Sequence, residues 1–169
     1  MLLVILFAVS LVADDGQRAA ASSTPADACA LLTSAEVEAV LGESVKERKP
    51  GTRATGGLLT SQCFFGTSTA RSVSLTVTRA NPAGGSTLSP RAYWRQQFHR
   101  DEHEKERDTE ARLIAGVGEE AYWTGNRFAG ALYALRGDLF LRISVGGIRD
   151  EQARIATAKA MALAALKRL

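Results

Sequence analysis

Two histidines four residues apart give this sequence its closest match to a catalytic motif. His99, Glu102 and His103 fit the H-x-x-E-H pattern, in which both histidines ligate zinc and the glutamate serves as general base. Glu106 would lie on the same helical face and is the candidate third ligand. The neighbouring residues of 100–108 alternate in charge, which is typical of a solvated helix that cannot shelter a reaction. We therefore predict a surface helix, with metal binding or zinc-dependent hydrolysis as the alternative.

A second motif lies further along the chain. Gly116, Gly118 and Ala121 fit G-x-G-x-x-A, a loose form of the dinucleotide-binding fingerprint. The fingerprint needs a following helix, whereas a strand is expected here, and two glutamates would repel a pyrophosphate. We predict a glycine turn instead. No nucleophile elbow, P-loop or C-x-x-C pattern occurs in the sequence, so we assign no catalytic residue and no cofactor.

Aromatic residues near the end of the chain are the candidates for a ligand pocket. Tyr122 and Trp123, together with Phe128 and Tyr133, could line an apolar cavity for a small ligand. Aromatic residues at alternating strand positions are more often core residues or cross-strand partners. Both interpretations stay open, and residues of opposite parity are expected to reach opposite faces of the sheet.

The first residues carry the signal for export. Residues 2–13 form an apolar run that fits the hydrophobic region of a signal peptide and is shorter than the roughly 20 residues of a spanning helix. We assign residues 1–21 to a signal peptide or hydrophobic leader and residues 22–28 to a flexible linker. The product is expected in the periplasm, the cell wall or outside the cell, with membrane contact only through an uncleaved leader.

Cys29 and Cys63 are the two cysteines of the chain. Oxidising compartments favour disulfides, so we expect these cysteines to pair; a reactive thiol or a metal ligand is the alternative. Closing this loop would stabilise the fold by roughly 3–4 kcal/mol in the chain-entropy model.

Composition bounds the remaining function classes. The net charge of +3 is small and scattered, whereas nucleic-acid binding needs a clustered stripe of lysine and arginine. Nucleic acid is therefore excluded as a partner. The chain has the length of a single domain, which we place at residues 29–169.

The predicted elements begin with a helix over residues 34–41, where Thr33 and Glu36 form a capping box. A weak strand (44–49), a loop (50–57) and a short strand (62–65) follow. Residues 71–79 alternate strictly between apolar and polar residues and predict a half-buried strand.

A second predicted helix begins at Ser89 and Pro90 and runs to about Arg107, with Tyr93, Trp94 and Phe98 as its buried residues. A meander of three strands (120–124, 128–135, 139–145) and a helix from Asp150 to Leu169 complete the chain. The order α-β-β-β-α-β-β-β-α predicts an α+β fold with an antiparallel sheet flanked by helices.

The sequence contains a C-x-L-L-T-x-x-E-V opening (29–37) and a G-x-G-[DE]-x-A-Y segment (116–122). In these motifs it resembles a bacterial family of secreted or lipid-anchored cell-envelope domains of unknown function. The resemblance implies a PsbP-like α/β/α sandwich, a paired cysteine couple and no established catalytic residues. From export and the lack of a catalytic constellation in the sequence, we expect a non-enzymatic envelope module that binds an envelope protein or a small apolar ligand.

Overall fold

The computed structural model describes residues 27–84, 88–99 and 111–169. This part of the chain folds into four helices and a seven-stranded antiparallel sheet. The elements in chain order are α1 (Ala28–Leu31), α2 (Ser34–Leu41), β1 (Val45–Thr55), β2 (Leu58–Thr67), β3 (Ser72–Ala80), α3 (Pro90–Phe98), β4 (Arg112–Leu113), β5 (Glu120–Gly125), β6 (Gly130–Arg136), β7 (Leu139–Gly146) and α4 (Glu151–Leu166). The α+β class and the predicted order are confirmed, with the short elements α1 and β4 in addition.

The sheet consists of two locally connected halves. Its strand order is β1-β2-β3-β7-β6-β5-β4, and every neighbouring pair is antiparallel. Strands β1 to β3 form one meander and β4 to β7 form the other. The pairing of β3 with β7, in which Thr76 lies opposite Arg142, joins the halves into one sheet.

Helices cover the two faces of the sheet unequally. Helices α1, α2 and α4 pack on one face and bury the main core, which includes Val73, Leu75 and Val77 of β3 as the alternation predicts. Of the described helices, α3 alone packs on the other face, where Trp94 contacts a smaller cluster with Leu135 and Phe140. The layers are therefore helix, sheet and helix, as an α/β/α sandwich requires.

Helix α2 begins at the capping box that the sequence predicts. The Thr33 hydroxyl accepts a hydrogen bond from the backbone N–H of Glu36, and the Glu36 carboxylate accepts one from the backbone N–H of Thr33. This backbone bond, an ion pair with Arg168 and the Thr33 hydroxyl lower the pKa of Glu36 to about 2. Arg168 thereby ties the end of the chain to the start of α2.

Strand β1 corrects the prediction for residues 44–57. Residues 50–55, expected in a loop, continue the strand opposite β2, and Pro50 lies opposite Cys63. Both faces of β1 are exposed, so its residues show no apolar alternation, and an edge strand tolerates a proline that cannot donate a hydrogen bond. Strand β2 is correspondingly longer than the predicted strand 62–65.

Several element ends also differ from the prediction. Strand β6 begins at Gly130, so Phe128 lies in the turn before it and is 75% exposed. Helix α3 ends at Phe98, and the predicted continuation beyond residue 99 lies outside the described residues. Tyr93 is 37% exposed rather than buried, although its ring stacks on that of Phe140 at 5.6 Å between centroids. Helix α4 ends at Leu166, although Leu169 still packs against the core.

The predicted leader (1–21) lies outside the described residues, as does the linker up to residue 26. None of the helices within the described ranges has the length and the hydrophobicity needed to span a bilayer. The placement of the domain boundary at residue 29 stays a prediction.

The predicted disulfide is confirmed. Cys29 lies in α1 and Cys63 in β2, and both are buried in the main core. The bond ties the first helix to an inner strand across 34 residues of sequence.

Replacing both cysteines by alanine is expected to lower the free energy of unfolding by roughly 3–4 kcal/mol, because the unfolded chain regains the entropy of the open loop. Denaturant unfolding with and without a reducing agent measures this loss. The reductant should destabilise the wild type and leave the double variant unchanged; equal stability of the oxidised wild type and the variant would contradict the prediction.

The G-x-G segment is a turn that precedes a strand, as expected. Gly116 and Gly118 both have positive φ angles, of 76° and 61°. A side chain at Gly118 would collide with the backbone carbonyl oxygen of Leu135, whereas one at Gly116 would come no closer than 3.9 Å to Lys159. The two glycines therefore differ in packing but share a backbone conformation.

Gly116→Ala is expected to cost about 1 kcal/mol, since it brings only the strain of a positive φ angle. Gly118→Ala is expected to cost roughly 3 kcal/mol, because the collision with strand β6 is added. Thermal unfolding of the two variants measures both effects. Equal losses would show that the close approach of this turn to β6 does not matter.

Candidate functional site

The four predicted pocket aromatics lie in three different environments. Tyr122 and Tyr133 are opposite each other in the pairing of β5 with β6 and lie on the α3 face of the sheet. Trp123 is 1% exposed and lies on the opposite face, which α1, α2 and α4 cover. Its indole donates a 2.9 Å hydrogen bond to the Glu151 carboxylate. Phe128 is in the exposed turn between the strands. Because neighbouring strand residues point to opposite faces, the four do not line a single pocket.

Aromatic rings fix α3 on the sheet. Trp94 packs 4.4 Å from Phe98 and 5.9 Å from Phe140, measured between ring centroids. Phe98 in turn stacks on Tyr122 at 4.8 Å. These contacts cover the end of the sheet formed by β5, β6 and the start of β7. The surface that α3 does not cover begins beside them.

A polar network lies beneath the end of α3. The Glu120 carboxylate accepts hydrogen bonds from Trp94 Nε1 at 2.6 Å and from the Tyr122 hydroxyl at 2.8 Å, and it lies 3.0 Å from His99 Nε2. Burial opposes ionisation of Glu120, but the bonds from His99, Trp94 and Tyr122 outweigh it and lower the pKa of this carboxyl. Burial first, and the hydrogen bond to Glu120 second, raise the pKa of Tyr122 to about 12. This network could not be predicted from the sequence, because its members come from the end of α3 and from β5, which are distant along the chain.

His99 does not lie on a helical face. It follows the last turn of α3 and has non-helical backbone torsions, and its Nε2 forms a hydrogen bond with the Glu120 carboxylate. The prediction that His99 lies within a long helix is therefore wrong. Glu102, His103 and Glu106 lie outside the described residues, and no group of metal-ligating side chains forms within the described ranges. The metal-binding alternative stays a prediction.

Beyond α3 no described helix covers the same sheet face, and its described residues form a groove with two cavities. The smaller cavity, ≈ 390 Å³, lies beside α3 and is lined by Thr55, Gly56, Leu58, Thr60, Thr76, Thr78, Leu88, Tyr93, Tyr133, Phe140 and Arg142. The larger cavity, ≈ 550 Å³, lies at the opposite end and is lined by Phe64, Ser72, Ser74, Thr124, Gly125, Asn126, Phe128, Ala129, Gly130, Ala131, Arg142, Ser144, Val145 and Gly146. Arg142 lines both cavities, so we name the two together the open-face groove.

Arg142 occupies the junction between the two cavities. Its Nε donates a 3.0 Å hydrogen bond to the Tyr133 hydroxyl, and its Nη1 donates one to the Ser144 hydroxyl at 3.4 Å. The guanidinium carbon also lies 5.7 Å from the centroid of the Tyr133 ring. These neutral contacts hold the side chain across the floor of the groove without neutralising its charge.

Arg154 fixes the turn that closes the far end of the groove. It is 2% exposed, and its guanidinium donates hydrogen bonds to the carbonyl oxygens of Asn126, Arg127 and Ile148. The turn between β5 and β6 is thereby joined to the loop before α4. Phe128 extends from this turn over the larger cavity.

The comparisons with known proteins support the fold. The chain is similar to the extracellular domain of PknH from Mycobacterium tuberculosis, with a TM-score of 0.50 at 14% sequence identity, covering 82% of this chain and 94% of that one. At this identity the likeness shows the fold alone. No protein-family model and no curated protein matches the chain.

The raised pKa of Tyr122 leads to a prediction on alkaline stability. A phenol that ionises near 10 in the unfolded chain and at about 12 in the folded protein stabilises the fold fully below pH 10. That contribution is lost as the pH rises from about 10 to about 12, because the unfolded state releases its proton first.

The variant Tyr122→Phe cannot titrate and serves as the reference. The free energy of unfolding of the wild type minus that of Tyr122→Phe is expected to fall between about pH 9 and about pH 11. Denaturant unfolding at both pH values measures it. A difference that stays constant over this range would contradict the assigned environment of the phenol.

Proposed function

We propose that this domain is an exported, non-enzymatic binding module that holds a small amphipathic ligand in the open-face groove. The observation that carries the proposal is the groove itself, in which two cavities of ≈ 390 Å³ and ≈ 550 Å³ meet at Arg142. Each has the size of a small-molecule site, and each is built mainly on strands rather than on loops.

The lining of the groove fits an amphipathic ligand. In the smaller cavity, leucine and aromatic side chains offer an apolar wall, formed by Leu58, Leu88, Tyr93 and Phe140. In the larger cavity, hydroxyl groups of Ser72, Ser74, Thr124 and Ser144 line the site together with the rings of Phe64 and Phe128. A ligand that spans both cavities can thus bury an apolar part and form hydrogen bonds with its polar part.

Export has three supports. The apolar run of residues 2–13 fits a signal peptide. The Cys29–Cys63 disulfide suits an oxidising compartment outside the cytoplasm. The similar structure is the extracellular domain of PknH, which favours the same side of the membrane for this chain.

The positions of the titratable side chains favour binding over catalysis. Glu120, His99 and Tyr122 satisfy one another's hydrogen bonds, and none of the three lines either cavity of the groove. The described lining residues include several hydroxyl groups beside Arg142, but no histidine, aspartate or glutamate that could act as their general base. The groove therefore offers shape and hydrogen bonds to a ligand, but no acid–base pair.

Blocking the groove tests this proposal. Thr76 lies on its floor, so the indole of Thr76→Trp would fill the smaller cavity, whereas Thr52 is exposed on the edge strand β1 and lines neither cavity. The neutral dye N-phenylnaphthylamine, which fluoresces in apolar sites, is the probe. Thr76→Trp is expected to weaken dye binding by roughly ten-fold or more, and Thr52→Trp to leave it unchanged.

Thermal unfolding of both tryptophan variants verifies that they fold. Failure of the folded wild type to bind the dye, or equal binding by the wild type and Thr76→Trp, would overturn the proposal.

A further inference from the structure

The open-face groove carries one kind of charge. Of the described residues that line its two cavities, Arg142 alone has a charged side chain, and no aspartate or glutamate is among them. The charge that the described lining presents to a ligand is therefore positive and lies at the junction of the cavities.

Arg142 forms no ion pair within the described residues, and it differs from the other arginines by its place on the floor of the groove. Arg71, Arg91, Arg112 and Arg168 each form an ion pair with a glutamate, whereas the other described arginines, including Arg142, form none within the described ranges. Arg142 pairs with no carboxylate in the part of the chain that the structure describes, and its contacts are the neutral hydroxyls of Tyr133 and Ser144. It is half-buried on β7, with one edge of the guanidinium held by these hydroxyls.

A ligand that covers Arg142 removes water from its guanidinium, so the charge of the ligand affects the free energy of binding. A neutral ligand seated over Arg142 would remove water from the charge without replacing it, which costs free energy. A carboxylate or phosphate would replace that water with charge-assisted hydrogen bonds, for which the forked guanidinium is well shaped. A cationic ligand would meet repulsion from Arg142.

The two ends of the groove define the rest of the ligand. The smaller cavity, in which four threonines accompany the apolar wall, lies on one side of Arg142, and the larger cavity with its serine and threonine hydroxyls lies on the other. The only charge among the described lining residues thus stands between the apolar wall and the more polar cavity. The complementary molecule carries its negative group beside an apolar body.

We infer that the groove selects an amphipathic anion, whose apolar body occupies the cavity beside α3 and whose carboxylate or phosphate binds Arg142. This inference rests on the proposed function, because it names the ligand class of the same groove. It makes Arg142 the residue that determines specificity for charge.

Two dyes distinguish the proposed binding function from the inference that the ligand is an anion. Anilinonaphthalene sulfonate is an amphipathic anion, and N-phenylnaphthylamine has the same aromatic skeleton without the sulfonate. Arg142→Gln is expected to weaken binding of the anionic dye by about ten-fold and to leave that of the neutral dye within about two-fold. Arg142→Lys, which keeps the charge, should retain most of the affinity for the anion.

The matched control is Arg95→Gln. Arg95 is exposed on α3 and lines neither cavity, so its replacement makes the same change in net charge outside the groove. Both dyes should bind this variant as they bind the wild type. If Arg142→Gln does not fold, a salt titration of the wild type serves instead, because salt weakens the binding of the anionic dye alone if a charge on the protein holds it.

The outcomes distinguish the two levels of the hypothesis. If the neutral dye binds and is blocked by Thr76→Trp, but Arg142→Gln leaves both dyes unchanged or weakens both equally, the anion inference is overturned and the proposed function stands. If the wild type binds neither dye, both are overturned. Weakening of the anionic dye by Arg95→Gln as much as by Arg142→Gln would also overturn the inference, because net charge would explain it.

Displacement of the anionic dye then identifies the head group. Decanoate, decyl phosphate and decanol share one alkyl chain and differ in the group that would meet Arg142. The acids are expected to displace the dye at concentrations about ten-fold lower than decanol, and the stronger of the two acids names the carboxylate or the phosphate. Equal displacement by decanol would overturn the inference.

Discussion

The antiparallel pairing of β3 with β7 is the constraint on which the rest of the domain depends. It joins two meanders that are each connected locally, and it does so between residues far apart in sequence. Its register places Leu75 opposite Ile143 and Val77 opposite Leu141 on the helix-covered face. The same register places Thr76 opposite Arg142 on the open face. A shift of one residue would exchange the two faces, so core and groove are specified together.

The groove exists because the helices are divided unequally between the faces. Three helices close one face, and the Cys29–Cys63 bond anchors the first of them to β2. Helix α3 is nine residues long and packs through Trp94 and Phe98 onto one end of the other face. Serine and threonine, which tolerate water, make up much of the described remainder of that face, and they separate its apolar wall from the larger cavity.

The sequence predicts well whatever is encoded locally. The capping box of Thr33 and Glu36, the alternation of β3 and the glycine turn before β5 each lie within a few residues, and all three are found in the structure. Strand β1 could not be predicted, because an edge strand exposed on both faces has no apolar period and is held by its pairing with β2. The bounds of α1 and β4 depend in the same way on nonlocal contacts.

The groove could not be predicted because no stretch of sequence contains it. Trp123 and Phe128 looked like pocket residues by type, yet strand parity and a turn place them elsewhere, while Thr76 looked like an ordinary solvent-facing residue. One local sign was present: Arg142 interrupts the apolar strand β7 at a position where threonine or valine would suit the sheet better. A half-buried cation without a carboxylate weakens a fold, and residues that break a local rule in this way concentrate at functional sites. Anion binding in the groove would account for this loss of stability, because an Arg142 already paired with a carboxylate could not select an anion.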